Sequence, residues 1–186
     1  TYITSAKDRE AEKAKLIKRV PELIGDGFQI LIASLSIDRA QDVFCILAPI
    51  ADKLGVPIYI DGSKRVFRIY QENLKGGEVL KRARWFQGQF NGYGERNEFL
   101  ADHELGIVIA SSGMMMPNTL SAKWAEELLP DPKAAIFTVN YQDPSSPGFR
   151  VRNSAMGDAI VIEERTITRR CLVEHFDLSA HMDMKL

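Results

Sequence analysis

The sequence is poor in the residues that build metal or redox centres. Its 186 residues include two cysteines and three histidines. His103, His175 and His181 form no His-x-His or His-x-x-x-His pair, and Cys45 and Cys171 lie far apart. No zinc site can be read from such spacings. Both cysteines fall in apolar stretches and are expected to be buried free thiols in a reducing, cytoplasmic setting. No apolar run approaches the roughly twenty residues of a membrane span, and no signal-like segment opens the chain, so no membrane partner is expected. No glycine-rich loop runs into Lys-Ser or Lys-Thr, and there is no Gly-x-Ser-x-Gly. A phosphate-binding P-loop and a serine nucleophile elbow are thereby excluded. An excess of charge is missing too. Against 24 Lys and Arg stand 25 Asp and Glu, a net charge of −1, so any contact with nucleic acid must be a local patch and not a global field.

What is present suits one globular domain. The chain is 45% hydrophobic and 26% charged, enough for a proper core. Thr1 is not an initiator methionine, and Ser179 to Leu186 stops mid-element. The expectation is a domain excised from a larger protein, with part of the chemistry elsewhere.

Helices and strands alternate. Residues 6–24 carry Leu16, Val20, Leu23 and Ile24 on one helical stripe, with Pro21 expected to kink it and Gly25-Asp26-Gly27 to stop it. Residues 28–33 form a continuous apolar run, the mark of a strand covered on both faces. A helix from about Asp38, capped by Ser36 or Asp38, turns Val43, Phe44, Leu47, Ile50 and Leu54 inward. Residues 56–60 read as a strand, and a helix follows through Leu74. The stretch 75–96 reads as irregular, with a short helix near 79–86. Strands at 105–110 and 134–140 enclose a helix at 119–129. Residues 143–148 read as a loop, and the chain ends in a β-hairpin of 159–162 with 166–176. The fold class is therefore α/β, a Rossmann-like parallel sheet flanked by helices with a C-terminal β-hairpin. Such sheets carry their sites at strand C-termini.

Four segments stand where chemistry is expected. Ser111-Ser112-Gly113 follows a buried strand, where free backbone N–H groups suit an anion such as phosphate; an ordinary strand-to-helix turn fits as well. Ser145-Ser146-Pro147-Gly148 with Arg150 suits phosphate oxygens and a counter-charge, or a plain surface turn. Arg39 and Gln41 open a helix and are placed to bond across the sheet end and fix its loops. Leu178-Ser179-Ala180-His181-Met182-Asp183 sets an imidazole at a strand end with an acid two residues on. Basic clusters occur at Lys64-Arg65 with Arg68, at Lys81-Arg82 with Arg84, and at Arg165 with Arg169-Arg170. The second of these, beside Trp85 and Phe86, suits single-stranded nucleic acid by charge and stacking; solvated charged faces are the plainer account of all three. Met114 to Met116 read as packing material.

In combination and in this order, the segments resemble the β-CASP domain of metallo-β-lactamase-fold nucleases, the family of the cleavage and polyadenylation endonuclease and of RNase J. Thr1-Tyr2 is similar to the residues after the family's motif A acid. Ile37-Asp38-Arg39-Ala40-Gln41-Asp42 resembles Leu-Gly-Arg-Ala-Gln-Glu, and Val56 to Asp61 resembles the second strand. Ile109 to Met115 resembles Ala-Ser-x-Gly-Met. Asn140-Tyr141-Gln142 through Ser146 and Gly148 resembles Gly-Tyr-Gln…Gly-Thr-x-Gly. Phe176 with Ser179 to Asp183 resembles Phe-Ser-Ala-His-x-Asp, whose histidine is motif B. Asp38 replaces a family glycine, and Ser145-Ser146 replaces Gly-Thr.

The resemblance implies that residues 1–186 are a β-CASP domain that closes like a lid over single-stranded RNA. Phosphodiester hydrolysis would use two zinc ions held by a metallo-β-lactamase domain of the same protein, with no metal ligand in this chain. It implies a catalytic role for His181, as proton donor or phosphate contact. Ser111, Ser112, Gly113, Ser146, Ser179 and Arg150 would contact the nucleic-acid backbone, with Arg39, Gln41 and Asp183 in support. Separated from its partner domain, the lid would expose an apolar face and form a homodimer. A non-catalytic scaffold paralogue and a DNA-directed nuclease of the same superfamily are the alternatives. A small-nucleotide-binding Rossmann domain ranks last, because Gly-x-Gly-x-x-Gly does not follow the first strand.

Overall fold

A computed structural model describes residues 6–73, 77–86 and 95–178. Six strands among them form one sheet in the order β3-β2-β4-β1-β5-β8, every neighbouring pair parallel. These are β1 (Gln29–Ala33), β2 (Ile58–Asp61), β3 (Arg84–Trp85), β4 (Ile107–Ala110), β5 (Ala134–Thr138) and β8 (Leu172–His175). The three central strands β4, β1 and β5 are buried at every position. Continuous apolar sequence is what a strand covered on both faces requires.

Two layers of helix do the covering. On one face lie α1 (Ala6–Gly25), α2 (Arg39–Leu54) and α3 (Lys64–Asn73), whose Leu16, Val20, Val43, Phe44, Leu47 and Phe67 pack against Ile30, Ile32 and Phe137. The opposite face takes α4 (Glu95–Ala101), α5 (Leu120–Leu128) and α6 (Pro147–Asn153), with Phe99, Trp124, Leu128 and Val151 against Leu31, Val108 and Ile136. An antiparallel pair, β6 (Ala159–Ile162) and β7 (Arg165–Thr168), lies on that second face through Ile160, Ile162 and Ile167.

Several expectations change. The carboxyl-terminal stretch is not one hairpin strand: β7 ends at Thr168, and β8 joins the main sheet beside β5, pairing Thr138 with His175. The buried guanidinium of Arg169 marks the break, its Nε donating to the Cys171 carbonyl at 3.2 Å. Residues 147–153 are helical, Ser146 supplying the cap and Pro147 the first turn. Within the stretch read as irregular, Gly77–Arg82 is a 3-10 turn, followed by β3 and, from Glu95, by α4. Asp38 is the N-cap of α2 but makes no side-chain cap bond, while Gly55 ends that helix in the left-handed conformation at φ 69°. Helix α1 runs through Pro21. Cys171 is buried, its thiol pushed up to about 12 by desolvation, but Cys45 is exposed. The inward positions Val43, Phe44, Leu47 and Ala48 leave position 45 on the outer side of α2. Leu54 is likewise 38% exposed.

Candidate functional site

The strand order places a crevice at the C-terminal end of β1. The chain leaves β1 for α2 on one face, whereas its neighbours β4 and β5 lead to α5 and α6 on the other. Connections that diverge from adjacent parallel strands leave their end loops apart, and ligands of open α/β sheets bind there. The loops at this point are 34–38, 111–119 and 139–146.

Two buried carboxamides tie these loops together. Asn140 (5% exposed) accepts the backbone N–H of Leu35 on Oδ1 at 3.1 Å, joining the β5 loop to the β1 loop. Gln142 (3% exposed) donates from Nε2 to the Gly113 carbonyl at 2.9 Å and to that of Asn140 at 3.1 Å. The N–H of Gly148 donates to the Met114 carbonyl at 2.9 Å, which brings α6 into the same cluster. Gly113 is required by space: a Cβ there would lie 2.8 Å from Asn140 Oδ1 and 3.1 Å from the Leu35 nitrogen. The Gly113 carbonyl and the Leu35 N–H are held by partners 29 and 105 residues away, so the loops that carry them are fixed before any ligand arrives, and such preorganisation lowers the cost of binding.

Ser111 and Ser112 are half-buried on this crest, joined by a cis peptide bond. The Ser112 hydroxyl accepts from Met116 N–H at 3.3 Å, and the Ser111 carbonyl from Ser121 N–H at 2.8 Å. Ser146 is buried and spends its hydroxyl internally, accepting from Phe149 N–H at 3.1 Å and donating to the Asp143 carbonyl at 2.7 Å. It acts here as a helix cap. Arg150 is exposed, with Nη1 3.2 Å from the Ser145 carbonyl. Hydrogen bonds from the Ser145 hydroxyl and N–H hold the Asp143 carboxyl below the usual range.

Gln41 closes the β1 loop on itself, donating from Nε2 to the Ser36 carbonyl at 3.0 Å. Arg39 is 5% exposed and meets Asp42 Oδ2 at 2.9 Å, the same oxygen that takes Arg9 at 2.8 Å. Desolvation pushes the Arg39 pKa down, yet an arginine this far above neutrality keeps its charge. Among the described residues Gln41 thus fixes its own loop, and Arg39 the start of its helix. His181, Ser179 and Asp183 lie outside the described residues, as do Thr1 and Tyr2. His175 is the described imidazole nearest to them in sequence, half-buried at the end of β8 with Nδ1 2.8 Å from Thr138 Oγ1. Burial, and then the charge of Arg152, push its pKa down, so at neutral pH the ring is uncharged.

The aromatic pair beside the basic cluster is turned to the protein. Phe86 stacks on Tyr59 at 4.2 Å, and Trp85 meets Phe67 edge-on at 5.3 Å. Arg82 is paired with Asp52, and Arg165 with Glu127 at 3.3 Å. These clusters are better explained by packing and surface pairing than by a nucleic-acid track. Sequence reasoning overlooked a buried ion pair at the end of β2. Asp61 accepts Arg96 Nη2 at 2.6 Å and Nε at 2.7 Å, and Trp124 Nε1 at 2.8 Å. The only sequence trace of it is an acid at a strand end. Among the described residues no group of three or more His, Cys, Asp or Glu is placed to hold a metal ion.

The Beta-Casp domain model matches residues 40–151. Transcription termination factor FttA of Pyrococcus horikoshii is 30% identical over 173 residues, covering 84% of this chain and 26% of the relative. RNase aCSPSF2 of Saccharolobus solfataricus is 27% identical over 167 residues, 88% of this chain and 32% of the relative. Endoribonuclease ysh1 of Schizosaccharomyces pombe is 24% identical over 208 residues, 98% of this chain and 26% of the relative. The chain spans about a quarter to a third of the length of these relatives.

Proposed function

Because this chain belongs to the Beta-Casp domain family, we propose that it is the RNA-gripping domain of a nuclease that hydrolyses phosphodiester bonds. The observation that carries this reading is the clasped crest at the C-terminal end of the sheet, where Asn140 and Gln142 lock the loops of β1, β4 and β5. A rigid crest with Ser111, Ser112, Gly113 and Arg150 on it suits repeated phosphates, which position a strand without reading its sequence. Relatives named as an RNase and an endoribonuclease support RNA as the ligand.

The hydrolytic centre belongs, on this reading, to a metallo-β-lactamase domain of the same protein. Two zinc ions there would supply hydroxide and polarise the phosphate. The described residues of this chain do not form a ligand set for them. His181 would enter the cleft from the segment after β8 and protonate the leaving oxygen or hold a phosphate oxygen. Relatives named transcription termination factors favour a second reading of the parent protein, in which the same grip serves transcription termination.

Single-stranded RNA binding by the whole protein tests the grip. Arg150→Ala should weaken binding severalfold and reduce the salt dependence by about one phosphate contact. Unchanged affinity and salt slope would remove Arg150 from the interface. A wild-type protein that binds single-stranded DNA and not RNA would turn the reading toward the DNA-directed nucleases.

A further inference from the structure

Between the two buried carboxamides stands an exposed aromatic ring. Asn140 is 5% exposed and Gln142 3%, while Tyr141 between them is 48% exposed. Single exposed aromatics are common and ordinarily need no explanation. This one differs in how it is held. The residue before it is bonded to the β1 loop through Leu35 N–H, and the residue after it to the β4 loop through the Gly113 carbonyl. The backbone carrying the ring is therefore anchored on both sides, at the crevice between divergent connections. Among the described residues its hydroxyl has no hydrogen bond and its ring no aromatic neighbour. Leu35 and Ile37 on the adjoining loop are 45% and 66% exposed, and Met116 on the next is 45% exposed. The crest thus combines phosphate-suited hydroxyls with an exposed ring on an anchored backbone and an apolar border.

We infer that Tyr141 is a stacking platform for a base of single-stranded RNA lying across the crest; the inference rests on the RNA-gripping role proposed above. Each base has a π-face whatever its identity, so an exposed aromatic ring adds affinity without imposing a sequence. With the backbone on both sides already anchored, stacking costs only the freedom of the tyrosine side chain itself. Leu35 and Ile37 give the sugar edge an apolar wall where water is already poorly bound. The carboxamides are positioning residues: they touch loops, and through the loops they aim the ring.

The test measures affinity of the whole protein for two single strands, oligouridylate and an abasic oligomer of equal length. Tyr141→Ala should weaken oligouridylate binding roughly five- to a hundredfold, Tyr141→Phe should stay within about twofold of wild type, and neither should change abasic binding. The side chain is exposed, so the melting temperature should not move. If Tyr141→Ala binds oligouridylate as wild type does, stacking is wrong and the grip stands. Equal losses on both strands would make Tyr141 a backbone contact, overturning the inference. A lowered melting temperature with unchanged affinity would show that another part of the protein covers the ring, with the same consequence. If the wild-type protein binds no RNA, the proposed function fails first and this inference with it.

Discussion

Asp61→Ala is expected to lower the stability of the domain by about 3–5 kcal/mol, the usual result of stranding one partner of a buried ion pair. Asp61 is 3% exposed and receives three hydrogen bonds, two from the Arg96 guanidinium and one from the Trp124 indole. Removing the carboxylate takes two charge-assisted hydrogen bonds from an arginine that is 7% exposed and one hydrogen bond from the buried Trp124 indole. The damage should extend beyond the pair. Arg96 sits on α4, Trp124 on α5 and Asp61 at the end of β2, so one carboxylate joins two helices to the sheet. Its backbone carbonyl also accepts Ser111 N–H at 3.3 Å, at the root of the crest. Asp61→Asn keeps an acceptor for Trp124 but loses the charge, and should fall between wild type and alanine. Urea unfolding checks both; a loss below about 1 kcal/mol in the alanine variant would mean that the pair is dispensable.

Gly148→Ala is the second large expected effect. A Cβ there would run into Gln142 Oε1 and stand 2.9 Å and 3.0 Å from the Met114 carbonyl oxygen and carbon. The Gln142 side chain cannot simply swing away, because its Nε2 holds Gly113 and Asn140. Either α6 moves off the crest or the clasp opens. Overpacking of this kind costs about 1–3 kcal/mol, and on the proposed function RNA affinity should fall with it, since the β4 and β5 loops would no longer be tied. Melting temperature and RNA binding, measured on one preparation, check the two parts. A variant with lowered stability and full RNA affinity would separate the clasp from the grip.

The sheet was legible because its three central strands are short apolar runs flanked by turn residues, and burial on both faces needs no more than that. Helix α2 was legible from its stripe, and that stripe also contained the exposure of Cys45, since Phe44 and Leu47 inward set the phase. Helix α6 carried its own start signal in Ser146-Pro147, outweighed by the loop-like composition of 143–148. The fate of β8 was not legible. Its place beside β5 depends on pairing Ala135 to Thr138 with Leu172 to His175, which no local pattern specifies.

The site divides the same way. Ser111-Ser112-Gly113 stood out as small residues after a buried strand, and the structure sets them on the crest. Ser146 also stood out, but its hydroxyl is used to start α6. Asn140 and Gln142 belonged to a recognisable motif, whereas their work is done on Leu35 and Gly113, far off in the chain. Sequence showed which residues ended the strands; only the fold showed that they hold one another.

Metal-dependent cleavage of single-stranded RNA by the whole protein, wild type against His181→Ala, tests the central claim most directly. If this domain is the RNA grip of a hydrolytic nuclease with His181 in its cleft, zinc-supplemented wild type cleaves RNA. The variant then binds RNA comparably but cleaves it slower by about two or more orders of magnitude. Equal cleavage by both proteins would contradict the role of His181, and RNA binding without cleavage by either would make the parent a scaffold.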